Sequence, residues 1–310
     1  MGARSSTCPA HSRQHHLEYS RAASGTRYTV ASVSNEATTP VVPRPAATVL
    51  IVRDDPFEVL LVLRSAASSF FPAAYVFPGG RVEEHDHSDQ WLPLIEHHDV
   101  LTPGERAFRI AAVRETHEEA SILLADGLVP ELSGDSEVDG ADGAPVPVPP
   151  AAPDAVAFQE LVAEIGARLL LDEVVPYAHW ITPEIAPKRF DTRFYLTRAP
   201  KGQLAQADAA ETDDARWMSP AEAVELAMAG DLALPPPTLL NLMLLAQSST
   251  VADAIAAAKA RPIVPIVPKT APGADGALRL VIPEDAGYGV TEYDIPKYSA
   301  TAESRPRPPR

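Results

Sequence analysis

The stretch Arg114-Glu115-Thr116-His117-Glu118-Glu119-Ala120-Ser121 decides how this chain is read. At 100° per residue on a helix, Glu115, Glu118 and Glu119 fall within about 100° of one face. Carboxylates that close repel, and a like-charged i,i+4 pair alone destabilises a helix by roughly 0.2–0.5 kcal/mol. Arg114 offsets part of this, and a bound divalent cation would offset more. Magnesium and manganese take hard oxygen ligands and sit between carboxylates and phosphates. By itself, Glu-x-x-Glu-Glu is simplest as a solvated charged face. Two neighbours change that. Pro78-Gly79-Gly80, upstream, makes a loop through which backbone can approach a ligand closely. Val113, Thr116 and Ala120 form the adjoining stripe, so the acidic face lies beside the core.

Working outward, Thr102 is a good N-cap, Pro103 suits the first helical position and Glu105 completes a capping box, so the helix runs to about Ala120. Upstream, the runs Ala46–Val52 and Phe57–Leu63 flank the turn Asp54-Asp55-Pro56 and read as a β-hairpin, followed by a short strand at Tyr75–Phe77. Downstream, residues 126–153 read as a flexible or polyproline insert and Ala155–Leu170 as a helix. Strands are expected at Ala178–Ile181, Phe190–Thr197 and Ala215–Met218, and helices from Ser219-Pro220, at Thr238–Leu245 and at Val251–Ala260. A last strand is expected at Leu278–Ile282. Strands on both sides of one strong helix, with later helices, predict an α/β (α+β) domain with a mixed sheet between helical layers. The expected domains are a disordered leader at 1–44, one domain at 45–250 with inserts about 87–106 and 126–153, and a Pro-rich extension at 251–310.

The bulk properties narrow the function. The chain has 310 residues, ample for a real core, and a formal net charge of −16. That charge argues against nucleic-acid binding. One cysteine, Cys8, rules out an intrachain disulfide and fits a cytoplasmic location. No apolar run is long enough for a membrane span, no secretory signal is expected, and the final residues are not a peroxisomal address.

The segment resembles the Nudix box, Gly-x5-Glu-x7-Arg-Glu-U-x-Glu-Glu-x-Gly-U, where U is a bulky aliphatic residue. Gly80 opens it after Phe77-Pro78-Gly79. Asp86 stands at the first acidic position, Arg114, Glu115, Glu118 and Glu119 match the second half, and Ile122 matches the last aliphatic position. Trp217-Met218-Ser219-Pro220-Ala221-Glu222 resembles a late passage of such domains, and the likeness covers roughly residues 45–247. The chain departs from the motif at Asp86, Thr116 and Ser121, and in the long insertion between Asp86 and Arg114. Extending a loop costs little, roughly 0.6 kcal/mol per doubling. Ser121 is the sterner change, because the glycine it replaces often adopts a left-handed conformation. The interrupted box resembles the Nudix subgroup that contains the peroxisomal coenzyme A diphosphatases. So do Phe70-Phe71-Pro72, Trp180-Ile181-Thr182-Pro183, Lys188–Phe194 and Leu234–Leu239.

The resemblance implies the Nudix α/β/α sandwich and a metal-dependent cut of a diphosphate in a small nucleotide-like substrate, possible examples being coenzyme A or its acyl derivatives. It implies Mg²⁺ or Mn²⁺ on Glu115, Glu118 and Glu119, with Glu118 or Glu115 as base and Arg114 orienting the glutamates. Glu211, Asp213 and Asp214 precede Trp217; Glu211 is the chosen distal metal ligand, against an ordinary acidic loop. Arg64, Arg189 and Arg193 are candidates for phosphate contact beside Gly79 and Gly80, against surface ion pairing. Phe190, Phe194 and Tyr195 could stack on a base or belong to the core. His117 is expected at the surface rather than on a metal. Many members of the family are dimers, so the resemblance makes a homodimer one expected assembly. The alternatives are ADP-ribose, NADH or nucleotide diphosphatase activity, a Nudix domain that only binds a nucleotide, and an acidic helical adaptor.

Overall fold

A computed structural model describes residues 16–22, 25–31, 41–68, 71–126, 146, 148–208, 211–273 and 278–294. Most of the polyproline insert, residues 127–145 and 147, lies outside the described residues, as do the ends of the chain.

The apolar runs form the middle of the sheet. Strand β3 (Arg44–Arg53) and strand β4 (Glu58–Arg64) are buried on both faces, which is why they read as nearly continuous aliphatic stretches. They join as the expected hairpin, with Val52 opposite Val59. Short strands β5 (Tyr75–Val76) and β6 (Gly79–Arg81) pair with β4 and β3. Strands β9 (Val175–Ile181), β10 (Phe190–Arg198), β11 (Thr212–Met218) and β12 (Pro265–Ile266) complete an eight-stranded sheet of order β11-β4-β3-β10-β9-β12. β10 runs parallel to β3, and β12 parallel to β9, so the sheet is mixed.

Both faces are covered by helices. Helix α1 (Pro103–Ala120) lies over Ala47, Val49, Ile51, Leu60, Val62 and Tyr195. Helices α3 (Pro220–Met228), α4 (Pro236–Leu245) and α5 (Val251–Ala260) cover Leu50, Val52, Val59, Leu61, Phe194 and Leu196. This is the layered α/β architecture read from the order of elements. The box insertion carries three 3-10 turns, Glu84–His87, Asp89–Leu94 and His98–Val100. Trp91 is fully buried there, donating to the His85 carbonyl at 3.0 Å and packing on Phe158.

Three expectations change. Helix α2 (Ala155–Glu164) stops short of Leu170, because Gly166 turns left-handed at φ 68° and Arg168–Leu169 (β8) then pairs with Ala125–Asp126 (β7). The leader holds a hairpin, β1 (His16–Ala22) against β2 (Gly25–Ala31), with Leu17 opposite Val30 and Tyr19 opposite Tyr28 in register. Nor does the packing break at residue 250. Val251, Ala254, Ile266, Ile282 and Tyr288 belong to the same apolar cluster as α3 and α4, and the segment adds a small sheet of β13 (Lys269–Pro272), β14 (Leu278–Val281) and β15 (Glu292–Asp294).

Candidate active site

Helix α1 starts at the expected cap: the Thr102 hydroxyl accepts the Glu105 N–H at 3.3 Å and Pro103 occupies the first turn, but the Glu105 carboxylate pairs with Arg193 instead of closing the capping box. Its C-terminal half carries the carboxylates under strand β6, where Gly79 sits opposite Thr48 and Gly80 opposite Ala47. The Gly79 N–H donates to Glu119 Oε2 at 2.9 Å. A Cβ on Gly80 would lie well inside contact with the Glu115 carboxylate, so that position has no room for a side chain.

Arg114, 1% exposed, holds the group together. Nη1 donates to Glu115 Oε1 at 2.9 Å and to Glu118 Oε2 at 3.1 Å. Nη2 donates to the Arg81 carbonyl at 2.9 Å and to Asp86 Oδ2 at 3.2 Å. Asp86 is itself fully buried and accepts the Glu83 N–H at 2.8 Å. Asp86 is thus the counter-charge of Arg114, and its shorter side chain suffices there.

Burial sets the electrostatics. It raises the Glu115 carboxyl to about 7 against the pull of Arg114. It raises Glu119 to about 8, helped by the Glu115 charge and opposed by the Gly79 N–H and Arg64. Burial also raises Glu118 and Asp86 above the usual carboxylate range. Burial works against the charge of Arg114, but Glu115, Asp86 and Glu118 outweigh it and raise its pKa.

Of the other sequence candidates, Glu211 comes close enough for its charge to act on both Glu115 and Glu119. Asp213 is exposed, and Asp214 instead pairs with Arg216 and accepts the Tyr75 hydroxyl at 2.9 Å. Arg64 is beside the site: its charge acts on Glu119, and its guanidinium donates to Ser68 Oγ at 3.0 Å. Arg193 is not brought there. It pairs with Glu105 and stacks 4.1 Å from the Phe108 ring centroid, and Glu105 lies about 15 Å along α1 from Glu115 at 1.5 Å per residue. Arg189 is buried and spends its donors on the Thr182 carbonyl at 2.9 Å and the Val41 carbonyl at 2.7 Å, tying down the start of β3. Phe194 and Tyr195 are core residues. His117, expected at the surface, is fully buried on Phe158, where Nε2 meets the Pro149 carbonyl at 2.9 Å and burial lowers its pKa. The sequence reading missed Glu83, whose charge raises both Glu118 and Asp86; the signal was a further acid just inside the box, after Gly80.

The donor set suits a hard divalent cation. Glu115, Glu118 and Glu119 share the C-terminal half of α1, the Glu211 charge acts on Glu115 and Glu119, and those two are buried with pKa values near neutrality, which a dication would relieve. Among the described residues no three acids, histidines or cysteines stand at ion-holding geometry, and Arg114 pairs with both Glu115 and Glu118.

A mixed sheet, a carboxylate-bearing helix beneath a Gly-Gly strand and the arginine that binds them define a Nudix hydrolase, and the chain belongs to that family. Within it, the matching family is the NUDT19 Nudix domain, over residues 27–102 and 96–245. The chain is 30% identical over 290 residues to the acyl-coenzyme A diphosphatase NUDT19 of Gallus gallus, covering 75% of this chain and 74% of that protein. It is 30% identical over 257 residues to the acyl-coenzyme A diphosphatase NUDT19 of Homo sapiens, covering 70% and 66%. A NUDIX hydrolase from Alicyclobacillus acidocaldarius has a similar crystal structure, with a TM-score of 0.52, 26% identity and coverage of 69% of this chain and 96% of that one. Nudix hydrolases generally depend on divalent cations. Among the described residues no helix is long and apolar enough to cross a membrane.

Proposed function

We propose that the protein hydrolyses the diphosphate of coenzyme A or an acyl-coenzyme A, using Mg²⁺ or Mn²⁺ held by Glu115, Glu118, Glu119 and Glu211. The observation that carries this is the buried pair Glu115 and Glu119, with Glu118 gathered by Arg114 under the Gly79-Gly80 backbone. The named relatives support the substrate class. A bound dication supplies charge neutralisation for the phosphates and a more acidic water. The chain's own residues do the rest. Gly79 and Gly80 make room for the helix carboxylates: the Gly79 N–H holds Glu119, and Gly80 leaves space for Glu115. Arg64 offers a cation to a phosphate oxygen. Arg114 keeps Glu115 and Glu118 oriented, and one of those two takes the proton of the attacking water. The water oxygen bonds to one phosphorus, the bridging P–O bond breaks, and its electron pair leaves with the other phosphate. Coenzyme A would give 3′,5′-ADP and 4′-phosphopantetheine. A single cysteine, Cys8, supports a reducing, cytoplasmic setting.

The test incubates the full chain with Mg²⁺ or Mn²⁺ and coenzyme A, acyl-coenzyme A, ADP-ribose, NADH or nucleoside triphosphates, with products identified by mass. The expected outcome is cleavage of coenzyme A or its acyl esters, reduced at least about a hundredfold by Glu119→Gln. Cleavage of ADP-ribose or NADH alone would overturn the substrate and leave the chemistry. Ligand binding without metal-dependent turnover would make it a nucleotide-binding domain.

A further inference from the structure

Glu211 stands on a loop, yet the electrostatics of Glu115 and Glu119 both register it. Its side chain is exposed, and what the structure ties to the helix is its backbone. The tie is Thr212, fully buried at the first position of β11. Its hydroxyl lies 3.0 Å from the backbone carbonyl of Glu119 and 2.9 Å from Asp208 Oδ1, sharing its proton between them. The same oxygen accepts the Asp208 N–H at 3.3 Å. The Asp208 carboxylate in turn accepts the N–H groups of Glu211 at 3.1 Å and Thr212 at 2.8 Å. The Ser65 N–H fixes the Glu211 carbonyl at 2.9 Å. Nearby, the Gln203 amide bonds both the N–H and the carbonyl of Leu123, just past the end of α1. Asp208 and Thr212 therefore close a turn around the backbone of Glu211 and bolt it to the main chain of another glutamate of the site.

We propose that Thr212, with Asp208, is a positioning residue that sets the register of Glu211 against Glu119. It touches neither substrate nor metal and acts by fixing where the loop carboxylate stands relative to the helix carboxylates. This rests on the reading that Glu211 faces the cation.

The test is Mn²⁺ titration of the full-length protein, following free Mn²⁺ by electron paramagnetic resonance, with thermal melts in chelator as a separate readout. Thr212→Val keeps the shape and removes the hydroxyl. It should weaken Mn²⁺ binding about tenfold, whereas Thr212→Ser should restore affinity to within about twofold of the parent. A merely structural threonine would lower the melting temperature and leave Mn²⁺ affinity unchanged. That result, alongside weaker binding by Glu211→Gln, would overturn the positioning role alone. Unchanged affinity in Glu211→Gln would overturn the ligand reading on which it rests. If Thr212→Val does not fold, Asp208→Asn weakens the same turn without emptying it; a reduced Mn²⁺ affinity supports the proposal, and parental affinity overturns it.

Discussion

At residue scale, the site depends on side chains that are absent as much as on those present. Gly80 leaves room for the Glu115 carboxylate, which stands where a Cβ would be. The atoms that a methyl group would strike are the end of a flexible side chain, so Gly80→Ala displaces a ligand more than it disrupts the fold. The expected outcome is a loss of kcat/KM of about 10- to 100-fold, with a melting temperature within roughly 2 °C of the parent. Parental kcat/KM would show that Glu115 has freedom the packing denies it. Helical spacing alone puts Glu115, Glu118 and Glu119 on one face; their reading as a site came from the Pro78-Gly79-Gly80 loop and the resemblance to the Nudix box. Arg193 and Arg189 were misleading because what engages them is remote in sequence: Glu105 holds the first and the Val41 carbonyl the second. A motif shows that an arginine is available; it does not show what has already claimed it.

At the scale of elements, α1 was legible from both ends, though its exit is unusual. Ser121 adopts the left-handed conformation at φ 54°, ψ 33°, with its N–H on the His117 carbonyl. That conformation costs an L-residue roughly 1–2 kcal/mol, against which glycine loses about 0.5–1 kcal/mol of chain entropy. Ser121→Gly is therefore expected to stabilise the protein by up to about 1 kcal/mol, raising the melting temperature by roughly 2–4 °C in a domain of this size. A fall in melting temperature would mean that the serine side chain contributes to the cap. The overrun of α2 has a similar origin. Apolar residues continue at helical spacing through Leu169, and the sequence reading followed them past Gly166, which ends the helix. His117 was misplaced because its burial depends on Phe158 and Pro149, both outside the helix that carries it.

At the scale of the whole molecule, the buried acids couple the site to stability. In the unfolded chain Glu115 and Glu119 titrate near the usual glutamate value of 4.5, whereas burial in the metal-free fold raises them to about 7 and about 8. The folded state therefore holds more protons across that window, and the stability they contribute below about pH 4.5 is lost as pH rises through 7 and 8. In chelator, the melting temperature is expected to fall between pH 6 and pH 8.5. Saturating Mg²⁺ should shrink or reverse that fall, because the cation binds the deprotonated carboxylates. A decline of equal size with and without metal would separate the pH effect from the site. The layered sheet was legible from the alternation of strands and helices. The leader hairpin and the continuation of the core past residue 250 were not, since both lie where proline, serine and short apolar runs blur the periodic signal.

In the C-terminal segment, Tyr288 ties that core together through its hydroxyl. The Tyr288 hydroxyl donates to Asn241 Oδ1 at 2.6 Å and accepts from Trp180 Nε1 at 2.9 Å, across a separation of 108 residues from Trp180. During synthesis the tyrosine leaves the ribosome long after the tryptophan it covers. At roughly 5–20 residues per second, the gap lasts on the order of 5–20 s. For that interval the indole lacks its Tyr288 partner, and until Pro265–Ile266 is made β9 has an unpaired edge, the kind of surface that chaperones shield. The architecture that puts the carboxylate-bearing helix early in the chain thus leaves Trp180, on the opposite face of the sheet, to be covered much later by Tyr288.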